Sequence, residues 1–367
     1  MRILITGVCG FVGSTLARAI RTGFPDREVI GIDNLSRTGA WYNVESLQRL
    51  GVGLRHADLR CVEDVEAFPG CDVVIDAAAN PSVLAGVDGR SSARQVMGHN
   101  LIGTLNLLEY CRKTGAMFIL LSTSRVYSME VLRRVRVSML SAELPGGRRL
   151  ERFELAGPLP RGLTLDGIGE DLSTEPPLSL YGCSKRSSEL VALEYGRQYE
   201  FPVWINRCGV MAGAGQFGHP GQGIVAYWIH AHREGRSLQY VGFDGMGRQV
   251  RDVVHPRDLM PLLDAQMLER RIEHGLPRVL NIGGGREHSF SLAELTRWCR
   301  ERFPDTRSPY PDAISVNRAN DLPWVVLDCG MAQRVWDWRP RTPMERIFEE
   351  VADFAEAHPQ WLASLEP

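Results

Sequence analysis

Three glycines spaced three residues apart, Gly7, Gly10 and Gly13, follow the first apolar run of the chain and constrain its fold most strongly. The run 2–6 (RILIT) predicts a strand, and the segment 11–23 (FVGSTLARAIRTG) predicts a helix directly after the glycines. Small residues between a strand and a helix permit a tight turn and a close approach of the backbone to a pyrophosphate. This local order favours a dinucleotide-binding βα unit over a purely structural glycine turn.

An acidic residue at the end of the second predicted strand suits the ribose of such a dinucleotide. Asp33 follows Gly13 by twenty residues, where a carboxylate can accept hydrogen bonds from the adenosine ribose. An acid there repels a 2′-phosphate, so NAD is favoured over NADP, although Arg37 could serve a 2′-phosphate or simply face solvent. Asp58, at the end of the third predicted strand, could reach the adenine amino group or be a plain loop aspartate.

Short apolar runs alternate with helical patterns from residue 2 to about residue 122. The runs are rich in β-branched residues and lack polar alternation, which indicates parallel strands covered on both faces. Repeated βα units of this size predict an α/β chain with a doubly wound (Rossmann) parallel sheet. After the first run, these predicted strands cover residues 28–33, 51–59, 72–78 and 116–122.

The second half of the chain is less regular. Residues 129–175 are rich in arginine and interrupted by Pro and Gly, which predicts a loop-rich insertion with one or two local strands. A helix over 181–199 and a buried strand over 201–207 follow. We expect a NAD-binding domain over 1–207 that includes the insertion. A smaller, sequence-interleaved substrate lobe would cover mainly 208–367, with some segments returning to the sheet.

The composition excludes several classes of protein. The 367 residues include 42 Lys+Arg and 44 Asp+Glu, a balance that argues against binding to nucleic acid or a membrane surface through bulk charge. The eight cysteines form no CxxC pair and no Cys/His cluster at ligand spacing, so we expect reduced thiols and no metal site. No apolar run approaches the ~20 residues of a membrane span, and no signal peptide is apparent. We therefore expect a cytosolic protein.

Tyr181 and Lys185 lie one turn apart in the helix predicted over 181–199. Hydride transfer to or from a carbinol needs a base for the hydroxyl proton, and a phenol with a pKa near ~10 is too weak at neutral pH. A lysine on the same helical face would lower that pKa by its charge. Ser122, Thr123 and Ser124 end the fifth predicted strand, at the sheet edge where ligands bind. The alternative is a helix that merely begins with an aromatic residue.

These motifs, together with HNLIGT (99–104), STSRVY (122–127) and NIGGG (281–285), resemble the extended short-chain dehydrogenase/reductase family. The resemblance covers nearly the whole chain and points to the NAD-dependent nucleotide-sugar epimerases and dehydratases. It implies that Thr123, Tyr181 and Lys185 are the catalytic residues. The residues expected to contact NAD are Gly7, Gly10, Phe11, Val12, Gly13, Asp33, Asn34, Arg37, Asp58, Leu59, Ala77, Asn100, Tyr181 and Lys185.

The resemblance also implies further roles and partners. Asn100 would have a structural or water-holding role at the active site. Arg251 matches the arginine expected to hold the diphosphate of a nucleotide sugar, and Arg207 matches a family arginine near the substrate phosphates. Either arginine could instead form a surface or helix-cap ion pair. A homodimer built on helices near 91–113 and 181–199 is expected. The predicted substrate-binding residues are Ser124, Arg125, Arg207, Gln222 and Arg251.

Departures from the family pattern reduce the number of candidate reactions. The 4,6-dehydratases carry an Asp-Glu pair directly after the catalytic threonine, where this chain has Ser124 and Arg125, so elimination is disfavoured. Asp76 stands where the family has a histidine. The motifs DNLSRTGA (33–40) and RQVRDVVH (248–255), with the long segment before Tyr181, look most like the CDP-paratose/CDP-tyvelose 2-epimerase subgroup.

The predicted reaction is therefore a redox epimerisation of a nucleotide-activated sugar, at C2 of a CDP-hexose. Tyr181 would remove a hydroxyl proton with help from Thr123 and Lys185, and hydride would return to the opposite face of the transient keto-sugar. Other enzymatic candidates are a 4-epimerase, a 4,6-dehydratase or a uronic acid decarboxylase, the last of which could draw an extra acid or arginine from the insertion. The candidate from another class is a NAD-binding scaffold without turnover.

Overall fold

The first third of the chain alternates between strands and helices, as the apolar runs predicted. The computed structural model of the protein describes residues 1–84, 86, 92–143, 147, 149–272, 275–306, 308–317 and 320–365. The elements before residue 124 are β1 (Arg2–Thr6), α1 (Phe11–Gly23), β2 (Glu28–Asp33), α2 (Val44–Arg49), β3 (Gly53–His56), α3 (Val62–Glu66), β4 (Val73–Asp76), α4 (Ala93–Met97), α5 (Gly103–Thr114) and β5 (Met117–Thr123).

The insertion after β5 is more regular than predicted. It contains α6 (Met129–Arg134), β6 (Val137–Glu143), β7 (Arg149–Leu155), β8 (Leu163–Thr164) and β9 (Gly167–Ile168). β6 pairs with β7 and β8 with β9, both antiparallel. The prediction of one or two local strands was wrong, because the arginine-rich strands carry no clean apolar alternation. Residues 144–146 and 148 of the predicted insertion lie outside the described residues.

The second half of the chain adds strands to the main sheet and builds a smaller lobe. Its elements are α7 (Leu180–Gln198), β10 (Val203–Cys208), β11 (Val210–Met211), α8 (Ile224–Arg233), β12 (Gln239–Val241), β13 (Val250–Val254), α9 (Met260–Leu268), β14 (Val279–Ile282), β15 (Ser289–Ser291), α10 (Leu292–Arg302), β16 (Asp312–Ile314), β17 (Trp324–Val325), α11 (Gly330–Trp336), α12 (Met344–Ala357) and α13 (Trp361–Ser364).

Seven strands of the described chain form the main sheet, in the order β14-β10-β5-β4-β1-β2-β3. Every neighbouring pair is parallel. The order reverses between β1 and β4, and open α/β sheets bind ligands beside such a reversal, at the carboxyl ends of the strands. The predicted doubly wound Rossmann fold is confirmed.

Helices cover both faces of this sheet, and the alternation of side chains along each strand assigns every residue to one face. Ile3 and Ile5 of β1 pack in the cluster that includes residues of α1, α9 and α11, whereas Leu4 packs in the cluster of α3, α5 and α7. All residues of β5 are buried. The uninterrupted apolar runs that predicted the strands are therefore explained by burial on two sides.

The smaller lobe has its own core and sheet. β13 pairs with β11, β15 and β17, and the helices α8, α10 and α12 pack around Phe290 and Val253. A capping box begins α10, since Ser291 and Glu294 each accept a hydrogen bond from the other's backbone N–H. In the described part of the chain, no helix has the length and apolarity needed to cross a membrane.

The insertion is fastened to this lobe by a buried ion pair. Arg152 of β7 is 3% exposed; its Nε donates to Glu294 at 2.7 Å and its Nη1 to Ser289 at 2.7 Å. The backbone N–H of Phe153 also donates to the carbonyl of Arg248 at 3.0 Å. Among the described residues of 129–175, none lines the cavity described below, so this described part does not supply the extra pocket residue considered for a decarboxylase.

Candidate active site

A cavity of about 1030 Å³ lies along the carboxyl ends of the main-sheet strands and extends to the smaller lobe. Its wall begins at the loop between β1 and α1, passes the ends of β2, β4 and β5, and reaches β13. Pockets for a single small ligand usually have volumes of about 300–1,000 Å³. The cavity therefore lies at the upper end of this range.

The glycine loop forms the wall of the cavity at one end. Gly7 has φ +59°, and a Cβ on it would lie 2.8 Å from the Cα of Ala78. A Cβ on Gly13 would lie 2.3 Å from the carbonyl oxygen of Gly7. Side chains at these positions would force the loop, α1 and the end of β4 apart. Gly10, Phe11 and Val12 also line the cavity, at the start of α1, where the sequence predicts that a pyrophosphate binds.

The carboxylate of Asp33 lines the cavity beside this loop, where the ribose was expected. It accepts hydrogen bonds from the backbone N–H groups of Cys9 and Leu35, both at 2.8 Å, while burial raises its pKa. Arg37 is exposed, so its side chain reaches solvent. It also lines the cavity, and its guanidinium donates to the carbonyl of Phe217 at 3.3 Å, which joins the cofactor end to the smaller lobe.

The remaining residues predicted near the adenine lie on the same wall. Asp58 accepts a hydrogen bond from Asn34 at 3.2 Å and forms an ion pair with Arg60 at 2.6 Å. The hydrogen bond from Arg60 lowers the pKa of Asp58, so the carboxylate stays ionised. Leu59 and Ala77 line the cavity next to it.

Asn100 is buried beneath the site and has a structural position. It lies in a π-helical turn, Gly98–Ile102. Its amide donates to the carbonyl of Asn80 at 3.1 Å and to Ser184 at 2.9 Å, and its Oδ1 accepts from the backbone N–H of Asn80 at 2.7 Å. These bonds tie the segment after β4 to α7. The placement supports the structural role and not a direct contact with NAD.

Tyr181 and Thr123 meet on the wall of the cavity. Tyr181 is the second residue of α7, whose N-cap is Ser179, and its phenol lies near the side chain of Thr123, which lowers the pKa of the phenol. Helix and strand end come together because residue 182 is glycine. A Cβ on Gly182 would lie 2.2 Å from the carbonyl oxygen of Arg125. Sequence reasoning missed this glycine, although its place directly after the tyrosine was a signal.

The charge that acts on the phenol comes from an unexpected residue. Burial raises the pKa of Tyr181 to about 12, while the side chain of Thr123 and the positive charge of Arg125 oppose the increase. Lys185 was predicted to lower this pKa. It is instead buried and faces acids, since burial lowers its own pKa and the charges of Asp76 and Glu189 raise it. In this structure the electrostatic partner of Tyr181 is Arg125.

Asp76 occupies the position where the family has a histidine, and it is fully partnered. Its two carboxylate oxygens accept hydrogen bonds from Thr6 at 2.7 Å and Thr104 at 2.9 Å. The carboxylate is 1% exposed at the end of β4 and interacts electrostatically with Lys185. It thereby provides a negative charge against which the buried ammonium is held.

Arg207 lies away from the cavity, so the prediction that it contacts the substrate phosphates was wrong. It faces α7 together with Val203 and Ile205, and it forms a two-pronged ion pair with Glu189 at 2.8 and 3.0 Å. A third hydrogen bond goes to Tyr127 at 3.2 Å. Burial alone would lower the pKa of Arg207, but Glu189 outweighs it and raises the pKa. The ion pair is buried, so it is not the surface or helix-cap ion pair considered as the alternative either.

The other predicted substrate residues also line the cavity. They are Ser124, Arg125, Gln222 and Arg251. Arg251 donates to Asp321 at 2.9 Å and to the carbonyl of Leu322 at 2.9 Å. Sequence reasoning missed Asp321 because it lies 70 residues from Arg251 and no motif marks it.

Comparison with known proteins places the chain in a family. Residues 3–141 and 154–283, more than half of the chain, match the model of the NAD dependent epimerase/dehydratase family. The chain is 29% identical to CDP-paratose 2-epimerase from Salmonella typhi over 374 residues, covering 97% of this chain and 100% of the relative.

Solved structures show the same fold. The UDP-glucose 4-epimerase of Thermus thermophilus in complex with NAD has a TM-score of 0.71 and 25% identity, covering 98% of this chain and 100% of its own. The UDP-glucuronic acid 4-epimerase of Bacillus cereus, in complex with UDP-glucuronic acid and NAD, has a TM-score of 0.75 and 22% identity, covering 97% and 99%. The chain belongs to the NAD dependent epimerase/dehydratase family, whose cofactor is NAD, and the predicted family resemblance is confirmed.

Proposed function

We propose that the protein epimerises a nucleotide-activated sugar by transient oxidation to a keto-sugar, at C2 of a CDP-hexose. The observation that carries the proposal is that Thr123 and Tyr181 line the same cavity as the glycine loop, with Thr123 near enough to the phenol to lower its pKa. A hydroxyl-activated phenol beside a dinucleotide site is equipped for proton transfer to and from a carbinol. A scaffold without turnover has no use for this pair.

The glycine loop and Asp33 would hold NAD, which would supply reversible hydride transfer at the sugar carbon and, when oxidised, a positive charge. Tyr181 handles the proton of the sugar hydroxyl. Because burial raises its pKa to about 12, the phenol is protonated at neutral pH in the free protein and is ready to donate. To act as a base it needs positive charge nearby, and Arg125 provides one such charge on the wall itself.

The residues after Thr123 favour epimerisation over elimination. Loss of water from a sugar needs a general acid or base beside the leaving hydroxyl. In this chain the two positions after Thr123 are Ser124 and Arg125, and both line the cavity. A guanidinium cannot give up a proton at neutral pH and therefore cannot serve as that acid. A 4,6-dehydratase is correspondingly disfavoured.

The choice of C2 and of a CDP-sugar is supported by one relative. CDP-paratose 2-epimerase is 29% identical to this chain over its full length. A UDP-glucose 4-epimerase from Mycoplasma pneumoniae, 27% identical with 96% of both chains covered, keeps a 4-epimerase as the second candidate.

The proposal also assigns one ligand to each half of the chain and includes a homodimer. Residues 1–207 would hold NAD and 208–367 mainly the sugar nucleotide, with β14 returning to the main sheet beside β10. We further propose a homodimer through α5 and α7, near which Ile102 and Leu190 expose 43% and 53% of their surfaces. Ser91, the first residue of one predicted dimer helix, lies outside the described residues.

Two measurements test the proposed function together. Protein purified without added NAD should release NAD on denaturation, and nuclear magnetic resonance should show a new diastereomer from a CDP-hexose within a panel of CDP-, UDP-, GDP- and dTDP-sugars. Net reduction of added NAD with accumulation of a keto-sugar would identify a dehydrogenase instead. Inversion of a UDP-sugar at C4 would favour the second candidate.

A further inference from the structure

Two guanidinium groups share the wall of the cavity at the end where Tyr181 lies. Arg251 is well partnered, because it donates to Asp321 and to the carbonyl groups of Val250 and Leu322 at 2.7–2.9 Å. Arg125 is not. The one hydrogen bond that its guanidinium makes to the described part of the chain goes to the carbonyl of Asn320, at 3.3 Å. At that length the bond is weak.

The charges at this end of the cavity do not balance. Asp321 forms its ion pair with Arg251, and within the described part of the chain no carboxylate forms an ion pair with Arg125. Burial, followed by the like charge of Arg251, lowers the pKa of Arg125 to about 10. Burying a cation beside another cation is unfavourable unless an anion compensates for it.

We propose that Arg125, next to Arg251, binds an anionic group of the substrate, either the β-phosphate of the nucleotide sugar or a carboxylate on its sugar. A planar guanidinium with free N–H groups matches either oxyanion in a bidentate arrangement. This proposal rests on the proposed function in that the ligand is a nucleotide sugar. It goes further by assigning the contact that positions the sugar.

The location of Arg125 relative to the reacting groups gives the contact a function. Arg125 follows Thr123 by two residues, and its backbone N–H donates to the Thr123 hydroxyl at 3.2 Å. Its carbonyl packs against Gly182, directly after Tyr181. An anion held by this side chain is therefore at a fixed distance from the phenol. It remains bound as a pivot while the keto-sugar turns to present its other face.

The test is a set of titrations on the NAD-loaded protein with four probes: CDP, UDP, UDP-glucose and UDP-glucuronate. The variants are Arg125→Gln, which removes the charge, and Arg125→Lys, which keeps it. Arg60→Gln is the matched control, because Arg60 also lines the cavity but pairs with Asp58 at the cofactor end. Thermal unfolding and NAD content identify any variant that does not fold.

We expect Arg125→Gln to weaken binding by about ten- to a hundredfold, the loss typical of one charge-assisted contact, and Arg125→Lys to weaken it less. A loss shared by CDP and UDP assigns the contact to the β-phosphate. A loss confined to UDP-glucuronate assigns it to a carboxylate.

Unchanged affinity of folded Arg125→Gln for all four probes, or equal losses in Arg60→Gln, would overturn the proposal. Wild-type protein that binds none of the probes would overturn it as well. A wild-type protein that binds a probe through Arg125 but inverts no sugar in the panel would contradict only the proposed function.

Discussion

The two ends of the cavity are closed by different kinds of contact. At the cofactor end the closure is aromatic: Trp361 of α13 stacks on Phe217 with ring centroids 5.9 Å apart, contacts Tyr42 at 5.0 Å, and donates to the carbonyl of Gln216 at 3.0 Å. At the substrate end the closure is ionic and is formed by Arg125, Arg251 and Asp321.

This difference matches the demands of the two ligands. A cofactor that is oxidised and reduced within one turnover can remain bound, and apolar contacts across the cleft do not depend on salt. A substrate must enter and leave in every turnover. Charged groups attract an anionic ligand over a distance but are screened by salt. The cofactor end is therefore expected to retain its ligand and the substrate end to exchange it.

The largest loss of turnover is expected from a substitution of Tyr181. Tyr181→Phe removes the proton donor and acceptor, and turnover should fall about 10²- to 10⁴-fold, the usual contribution of a positioned acid–base group. Affinities for NAD and for the nucleotide sugar should change little, since the ring remains. Steady-state kinetics and titrations check this, with Tyr199→Phe at the exposed end of α7 as the control. Near-normal turnover of Tyr181→Phe would refute the catalytic assignment.

A second substitution tests the close approach of α7 to the segment that follows β5. Gly182→Ala places a Cβ 2.2 Å from the carbonyl of Arg125, so α7 must move away from Thr123. Overpacking of this kind costs about 1–3 kcal/mol of stability, and turnover should fall by more than tenfold. Gly23→Ala is the matched control, because nothing lies within 4 Å of its Cβ position. Equal unfolding midpoints and activities of the two variants would contradict the close approach.

Arg251→Ala is expected to weaken ligand binding at the substrate end much more than at the cofactor end. It removes one cation and leaves Asp321 without its partner, so nucleotide-sugar binding should weaken about ten- to a hundredfold while NAD binding changes less than threefold. Titration with each ligand measures the two losses. Arg302→Ala, which breaks ion pairs on α12 outside the cavity, provides the control. Equal losses for both ligands would mean that the cavity does not have two independent ends.

The smallest effect is expected from the aromatic closure. Trp361→Leu removes the stacking and the N–H bond to Gln216 but keeps an apolar side chain, so NAD should dissociate several-fold faster with unchanged affinity for the nucleotide sugar. Stopped-flow release of NAD measures this. Trp298→Leu, which loses a contact with Phe348 in the smaller lobe, is the comparison. Identical release rates in both variants would show that α13 does not hold the cofactor end closed.

The same contrast explains which parts of the site could be predicted from the sequence. Gly7, Gly13 and Asp33 belong to a contiguous βαβ unit whose spacing is itself the signal, and all three line the cavity. Tyr181 could be predicted as a site residue for the same reason, because a helical turn and a strand end are local features of the sequence.

The substrate end was harder to predict from the sequence, because segments that are far apart in the chain form it. Asp321 meets Arg251 across 70 residues, and no spacing connects them. The prediction for Arg207 relied on its resemblance to a family arginine and did not consider how side chains alternate between the two faces along β10. Val203 and Ile205 face α7, so residue 207 had to face α7 as well. The strands of the insertion were underpredicted because Val137, Phe153 and Leu155 pack against a cluster formed by distant segments, which no local pattern marks. The ion pair of Arg152 with Glu294 also holds β7.

The most direct test of the account follows a label through one turnover. A substrate carrying deuterium at the carbon that is inverted should give an epimer that retains the deuterium in ordinary water, since hydride leaves and returns within the closed cavity. Replacement of the deuterium by hydrogen from solvent would show that the carbon is inverted by deprotonation, and would contradict the account.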